Sequence, residues 1–385
     1  MDIASNFELQ PTPRVVFGPG SRHKLGRRAR ALGVERALLV SDPGISAVGM
    51  VDELAAVLEA EGVALEIFAE VEPNPRVQTV DRGAERLREL HDGWVIALGG
   101  GSVLDAAKAI ALLGNNAGTI ADHRLGVGRP APGRRSIAIA TTAGTGSETN
   151  AFAVVTDPAQ GRKVLIGHPS LLPSLVLLDP ELTRGVPRIV TATTGMDALV
   201  HALEALTSSR RNPASQALAL RAIALVSAHL RAVVSDGTNG PAREAMLIAS
   251  HLAGLAFSSS GLGICHAMGH PLSARLDVAH GQALASVLPR VLDYHRETCA
   301  ELLAEASDAL GSAEGGSTEA RVEAALGRVR SLSRDVGTDR PLRELGVSDA
   351  LIPTLAEDAL ADPLILTTPR PATQADVEAL YRQAL

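Results

Sequence analysis

The first half of the chain alternates short runs of β-branched and Leu-rich residues with longer stretches of helical periodicity. Apolar runs at 14–17, 36–41, 64–69, 94–98, 136–140, 152–156 and 175–178 predict strands, since short apolar runs bounded by turn residues fit strands covered on both faces. Between them, 51–61, 77–90 and 102–113 repeat apolar residues every three or four positions and predict helices. This alternation predicts a mostly parallel sheet with helices on both faces. Beyond about Pro187 the pattern becomes Ala- and Leu-rich with helical spacing, as in 213–234, 241–256 and 282–294. Thr373, three residues before Asp376, predicts a capped start for a last amphipathic helix running to Leu385. The change of character falls in 179–194, which holds Pro180, Gly185, Pro187 and two Thr-rich turns. It divides the chain into an α/β domain over 1–185 and an all-α domain over 186–385. The stretches 125–135 and 311–317, rich in Gly with Pro, Arg or Ser, read as surface loops.

Composition narrows the function. The 385 residues are enough for two cores. A net charge of −7 offers no broad basic face for nucleic acid, and 2% aromatic residues leave few platforms for stacking bases. Two cysteines, Cys265 and Cys299, make no disulfide framework and point to a cytoplasmic protein. Residues 1–14 lack a basic head followed by an apolar run. No apolar stretch is expected to reach the roughly 20 residues that cross a bilayer, so no membrane partner is expected.

Two turns in the first half carry candidate chemistry. In the segment 94–108 a buried strand runs into Gly99, Gly100, Gly101 and Ser102 and then a helix. Residues without a Cβ let backbone approach an anion, and the helix that follows aims free N–H groups and its positive end at it. A diphosphate suits such a place, although a plain strand-to-helix turn has the same residues and the G-x-G-x-x-G pattern is absent. Thr141, Thr142 and the small residues that follow them to Glu148 come directly after the strand 136–140, at the strand end where α/β sheets bind ligands. Asp42 closes the strand 36–41, where an acid accepts from ribose hydroxyls and repels a 2′-phosphate. That favours NAD over NADP, while Asp-Pro-Gly is also an ordinary turn.

The second half carries a different set. Asp197 and His201 are four apart, on one face of a helix. His266 and His270 are also four apart, and His280 follows ten residues later. A borderline divalent cation takes imidazole nitrogens and a carboxylate oxygen and leaves positions open for substrate. One Asp with three of these His satisfies it. Each pair alone is an ordinary helix-surface pattern, but together on an apolar domain they are costly unless something is bound. His229, His251 and His295 stand singly and read as structural or solvent-facing, and Cys265 reads as a core residue.

In order, these segments resemble the iron-containing (group III) alcohol dehydrogenase family, from Val15-Val-Phe-Gly-Pro-Gly20 through the two turns and Pro173-Ser-Leu-Val-Leu-Leu-Asp-Pro180 to Pro369-Arg-Pro-Ala-Thr373. The resemblance implies a Rossmann-like nucleotide-binding domain followed by a helical metal-binding domain, the dehydroquinate synthase-like fold, with catalysis between them. It implies Asp197, His201, His266 and His280 as ligands of Fe²⁺ or Zn²⁺. It places Gly99, Gly100, Gly101 and Ser102 on the pyrophosphate of NAD(H), or NADP(H), with Asp42, Thr141, Thr142 and Thr145 along the cofactor and Asn74 toward the nicotinamide. His270 becomes a catalytic residue beside the substrate that assists proton transfer. A homodimer or larger homo-oligomer is also implied. Ala279, where the family often has proline, and Ser259, where Asn is frequent, depart from the pattern without removing a ligand.

The expected reaction is hydride transfer between NAD(H) and a small primary alcohol or aldehyde. Asn150, Phe152 and Phe257 are candidate substrate contacts, with Ser258, Ser259 and Ser260 adding a polar edge. Arg275 reads first as an exposed helix-end arginine; the alternative it offers is the reduction of an anionic aldehyde with a phosphonate, sulfonate or carboxylate tail. A maleylacetate reductase-like enzyme is a second alternative, weakened by the complete ligand set. A dehydroquinate synthase-like lyase would need a phosphate-binding Lys/Arg cluster around the metal. The non-enzymatic reading is an idle nucleotide-binding assembly protein.

Overall fold

The computed structural model describes residues 7–9, 11–312 and 315–385, so part of the expected loop 311–317 lies outside the described residues. The chain forms two compact units.

The α/β unit covers Thr12–Thr142 and Ser147–Arg184. Its strands are β1 (Arg14–Phe17), β2 (Arg36–Val40), β3 (Ala64–Phe68), β4 (Trp94–Gly99), β5 (Ser136–Ala140), β6 (Phe152–Asp157), β7 (Arg162–Gly167) and β8 (Leu175–Leu178). Its helices are α1 (Leu25–Ala31), α2 (Pro43–Ala47), α3 (Met50–Glu59), α4 (Val77–Glu89) and α5 (Gly101–Leu113). Six strands make a parallel sheet in the order β1-β8-β5-β4-β2-β3. Both faces are covered, so Leu38 and Val40 are as buried as Ala37 and Leu39, the near-continuous apolar run of a parallel strand. Leu39, Ile96, Leu98, Ile139 and Leu177 pack against α1 and α3. From β2 the chain moves outward to β3 and then returns to β4, from which it proceeds to β5 on the other side. Strand order therefore reverses between β2 and β4, the place where α/β sheets accept ligands.

The strand expected over 152–156 forms, but apart from the parallel sheet. The run 152–156 belongs to no parallel sheet: β6 pairs antiparallel with β7, from Phe152 opposite Gly167 to Asp157 opposite Arg162. Only four residues join the two strands, too few for a parallel crossover but suited to a hairpin. Asp157 accepts from Ala159 N at 3.0 Å, and Gly161 takes a left-handed φ of 61°. The strand β7, with charged Arg162 and Lys163 at its start, gave no run of its own in the sequence.

The helical unit is built from Gly185–Leu385 and includes the short segment Ala143–Gly146. Its helices are α6 (Arg188–Thr207), α7 (Pro213–Ser235), α8 (Gly240–Ser260), α9 (Ile264–Leu276), α10 (His280–His295), α11 (Ala300–Ala309), α12 (Thr318–Val336), α13 (Ile352–Ala361) and α14 (Gln374–Ala384). Of these, α6 is buried along most of its length and packs against α7, α8 and α10. The Thr-rich turns expected before Asp197 are helix instead. Thr193 and Thr194 return their hydroxyls to the carbonyls of Ile189 (3.0 Å) and Val190 (2.8 Å), which satisfies them inside a helix that begins after Pro187. The expected cap of α14 forms, with Thr373 and Asp376 bonding reciprocally. Further along α14, the buried Tyr381 hydroxyl donates to the carbonyl of Met268 in α9 at 2.7 Å.

The membrane expectation needs one amendment. By length and composition α7 could cross a bilayer, because only two charged residues, Arg221 and Arg231, interrupt its apolar residues and do not outweigh them. Ala219, Ala222, Ile223, Val226 and Leu230 of α7 lie in the core of the helical unit.

His295, at the end of α10, is buried, so of the structural and solvent-facing readings the structural one holds. Burial, with Arg370 nearby, lowers it to about 4, whereas the unfolded chain binds that proton near pH 6.5. Stability from this group is complete above about pH 6.5 and is lost as pH falls toward 4, by up to about 3 kcal/mol. His295→Leu should therefore reduce the drop in Tm between pH 7.5 and pH 5; an unchanged drop would place the acid sensitivity elsewhere.

Candidate metal centre and nucleotide turns

In the helical unit, Asp197 and His201 lie one turn apart on α6, His266 and His270 one turn apart on α9, and His280 opens α10. Asp197, His201 and His266 each offer a ligand atom, and the three atoms lie within 4.8 Å of one another. His280 stands at the edge of the group, 29% exposed, with Nε2 3.8 Å from Asp197 Oδ1. The same oxygen lies 3.6 Å from His201 Nδ1 and 3.8 Å from His266 Nε2. One carboxylate oxygen thus faces all three imidazoles.

Those atoms do not satisfy one another. Asp197 Oδ1 and His266 Nε2 are buried without a hydrogen-bond partner, although leaving such groups unpaired typically costs about 1–3 kcal/mol each. Burial pushes the Asp197 carboxyl up to about 8. Burial, then neighbouring histidines, pushes His201 and His266 well below the usual imidazole range. The donors are two neutral imidazoles and an acid held uncharged for want of a positive partner, and a divalent cation supplies what they lack. The residues present fit the metal that their types suggest.

One nitrogen of each of His201, His266 and His270 is engaged by a neighbour. His201 Nδ1 is 3.2 Å from the carbonyl of Gly144; a carbonyl only accepts, so Nδ1 carries the proton and Nε2 keeps its lone pair. The face of His201 stacks on Phe257, with ring centroids 4.6 Å apart. His266 Nδ1 lies 2.5 Å from Glu204 Oε2. Glu204 also accepts from Cys265 N at 2.7 Å, at the N-terminus of α9, where Gly263 has no side chain to cap with. One buried acid from α6 therefore caps a second helix and fixes the ring that helix carries. Burial pushes it up to about 8, against the lowering effect of the amides of Cys265, His266 and Gly263. His270 Nδ1 bonds Asp362 at 2.6 Å. Burial would raise Asp362, but the charge and hydrogen bond of His270 hold it below the usual range.

Glu204 and Asp362 are absent from the residues picked out in the sequence. Glu204 was detectable, because Asp197, His201 and Glu204 follow the i, i+4, i+7 stripe of one helix face. For Asp362 no local pattern existed: it lies 92 residues beyond His270 and reads as the Asp-Pro start of a short turn. Arg275, the candidate for an anionic substrate tail, is ion-paired with Asp358 at 2.5 Å, which leaves little to recommend that role. Cys265 is fully buried, as expected of a core residue.

In the α/β unit, Asp42 and the Gly99–Ser102 turn follow β2 and β4, on either side of the point where strand order reverses. One oxygen of Asp42 accepts from Ile45 N at 2.9 Å and caps α2, so the ordinary-turn reading holds for that oxygen. None of the three glycines of the turn has a left-handed φ, and for Gly99 and Gly100 the constraint is crowding. A Cβ on Gly99 would lie 2.5 Å from Val103, and one on Gly100 3.1 Å from Thr142. No side chain caps α5, whose first amides stay available. Thr141 continues from β5, its amide donating to Gly99 at 3.0 Å; Thr145 belongs to the segment counted with the helical unit.

Asn74 holds a left-handed φ of 53° and accepts from Lys163 at 2.7 Å, a pairing not visible in the sequence. Asn150 is buried, and its side-chain oxygen accepts from Phe152 N (2.9 Å) and Lys108 (3.3 Å). Lys108, buried on α5, also donates to the carbonyls of Ser147 (2.7 Å) and Phe152. Both residues thus fasten the turn before β6. Phe152 is 42% exposed.

Comparison with known proteins gives a consistent relationship. The family described as iron-containing alcohol dehydrogenase matches residues 11–180, and the Fe-containing alcohol dehydrogenase family, C-terminal, matches residues 191–385. The chain is 38% identical over 372 residues to the probable alcohol dehydrogenase EutG of Escherichia coli, covering 97% of this chain and 93% of that one. A solved 1,3-propanediol oxidoreductase superposes with a TM-score of 0.94 at 37% identity, over 99% of this chain and 100% of the other. The sulfoacetaldehyde reductase of Bifidobacterium kashiwanohense, solved in complex with NAD⁺, superposes with a TM-score of 0.89 at 28% identity, over 99% of each chain.

Proposed function

The chain belongs to the iron-containing alcohol dehydrogenase family, oxidoreductases acting on CH–OH groups, and from that premise we propose that it transfers a hydride between NAD(H) and a small primary alcohol or aldehyde. The observation that carries the reading is the pair of buried, unpartnered atoms, Asp197 Oδ1 and His266 Nε2, facing each other among three imidazoles. Asp197, His201, His266 and His280 would hold a divalent cation, Fe²⁺ in this reading, with Zn²⁺ the alternative. When bound, the cation supplies Lewis-acid polarisation of the substrate carbon–oxygen bond. The nicotinamide supplies the hydride chemistry.

The protein's own part is to hold and orient. Gly144 and Glu204 engage Nδ1 of His201 and His266, and so would leave Nε2 of each ring free to ligate. Asp362 fixes His270 through Nδ1, leaving Nε2 to exchange a proton with the substrate oxygen. The turn at Gly99–Ser102 and the amides opening α5 would receive the pyrophosphate, and the second oxygen of Asp42 the ribose hydroxyls, which favours NAD(H) over NADP(H). Thr141, Thr142 and Thr145 would lie along the cofactor, with Asn74 toward the nicotinamide. Phe257, stacked on His201, makes the apolar side of the substrate site. Asn150, which fixes the turn that precedes β6, and Phe152 remain candidate substrate contacts on the α/β unit. Two free, buried thiols fit a cytoplasmic enzyme, and a homodimer or larger homo-oligomer completes the reading.

Metal analysis and an NADH-oxidation assay across short neutral and acidic aldehydes test this function. The expected result is about one Fe or Zn per chain, NADH preferred over NADPH, and neutral aldehydes reduced fastest. A metal-replete protein that oxidises NADH with no aldehyde would favour the non-enzymatic reading.

A further inference from the structure

Two chain segments, remote in sequence, press bare backbone onto one turn of α6. Gly281 is the second residue of α10. A Cβ there would lie 2.7 Å from the carbonyl carbon of Thr193, closer still to its oxygen, and 3.4 Å from Cβ of Asp197. Gly144 approaches the next residue: its Cβ would lie 2.5 Å from both Cβ and the carbonyl oxygen of Thr194 and 2.8 Å from its Cα. The segment holding Gly144 is seated again at Gly146, where a φ of 59° favours glycine and a Cβ would lie 2.7 Å from Cα of Gly254 in α8.

Each contact adjoins a candidate ligand. Gly281 follows His280, whose Nε2 is 3.8 Å from Asp197 Oδ1. The carbonyl of Gly144 accepts from His201 Nδ1. Thr193 and Thr194 immediately precede the turn carrying Asp197.

We propose that Gly281 and Gly144 are positioning residues of the metal centre, gripping the Thr193–Thr194 turn of α6 so that His280 and His201 are set against Asp197. The inference rests on the metal reading above. Magnitudes separate it from ordinary tight packing. Most of the atoms opposing Gly281 and Gly144 are backbone of a buried helix and cannot rotate away. Relieving an added methyl requires the segment to retreat by roughly 1 Å, whereas metal–ligand distances tolerate about 0.2 Å. Gly195, on the same turn, is as crowded, but its Cβ would meet only the side-chain ends of Leu230 and Met246, which can change rotamer.

The test compares Gly281→Ala, Gly144→Ala and Gly195→Ala as metal-free full-length proteins. Cobalt(II) serves as the probe, its visible d–d absorption reporting geometry, chelator competition reporting affinity and Tm reporting the fold. The two grip variants should lose 10- to 100-fold in cobalt affinity, the range typical of disturbed outer contacts of a metal site, with altered d–d bands. Gly195→Ala should lose Tm but keep both affinity and spectrum. Wild-type cobalt binding by both grip variants would overturn the proposal, as would an equal loss in Gly195→Ala. If both grip variants fail to fold while Gly195→Ala folds, the contacts serve folding and the assignment is withdrawn. Failure of the wild type to bind cobalt would be a separate result, overturning the metal reading itself.

Discussion

Replacing His266 with alanine is expected to lower kcat/KM by about four orders of magnitude, roughly 5.5 kcal/mol of transition-state stabilisation. His266 sits within ligand distance of Asp197 and His201, is 2% exposed, and its Nε2 has no other partner. Its removal deletes a ligand and leaves Glu204 without the ring it orients. Metal content should fall to background. NADH affinity, measured by fluorescence titration, should change little, because every residue assigned to the pyrophosphate and adenosine lies in the α/β unit. A variant that turns over substrate at the wild-type rate without bound metal would remove His266 from this role.

The second large effect is expected at Glu204, from a substitution that preserves shape. Glu204 offers one oxygen to Cys265 N and the other to His266 Nδ1; when His266 gives Nε2 to a metal, its Nδ1 carries the proton and both neighbours require an acceptor. Glutamine has one acceptor and one donor. If its oxygen stays with Cys265, its NH₂ faces Nδ1 and drives the imidazole proton to Nε2, toward Asp197. Glu204→Gln should therefore weaken metal binding 10- to 100-fold while leaving the Tm of the metal-free protein close to wild type. Chelator competition measures the first and thermal unfolding the second. Glu204→Ala, which leaves the amide and the ring both unpaired, should also lower Tm. Wild-type metal affinity in the Gln variant would show that the tautomer of His266 is not controlled from Glu204.

What the sequence made legible follows from the range of the interactions involved. Buried parallel strands announce themselves as apolar runs because both faces are covered, hence the agreement of β2, β4 and β5 with expectation. The hairpin strand β7 is one-sided and opens on two charged residues, and a run-based reading passes over it. Asp197 with His201, and His266 with His270, were visible because helix geometry converts a spacing of four into a shared face. Glu204 obeyed the same geometry at i+7, yet an acid on an Ala- and Leu-rich helix also reads as a solvated surface residue. The roles of Asp362, Gly144 and Gly281 depend on neighbours 57 to 92 positions away or on the absence of an atom, and one chain read alone has no signal for either.

The bond from Tyr381 to Met268 has a consequence for how much of this chain can be dispensed with. Met268 lies midway between the two histidines of α9, so the closing eleven-residue helix braces the element that presents them. A protein ending a few residues early would retain all of its imidazoles and acids, yet the scaffold bearing two of them would lose its backstop. Affinity handles and fusion partners at that end should be attached through a spacer that leaves Tyr381 seated.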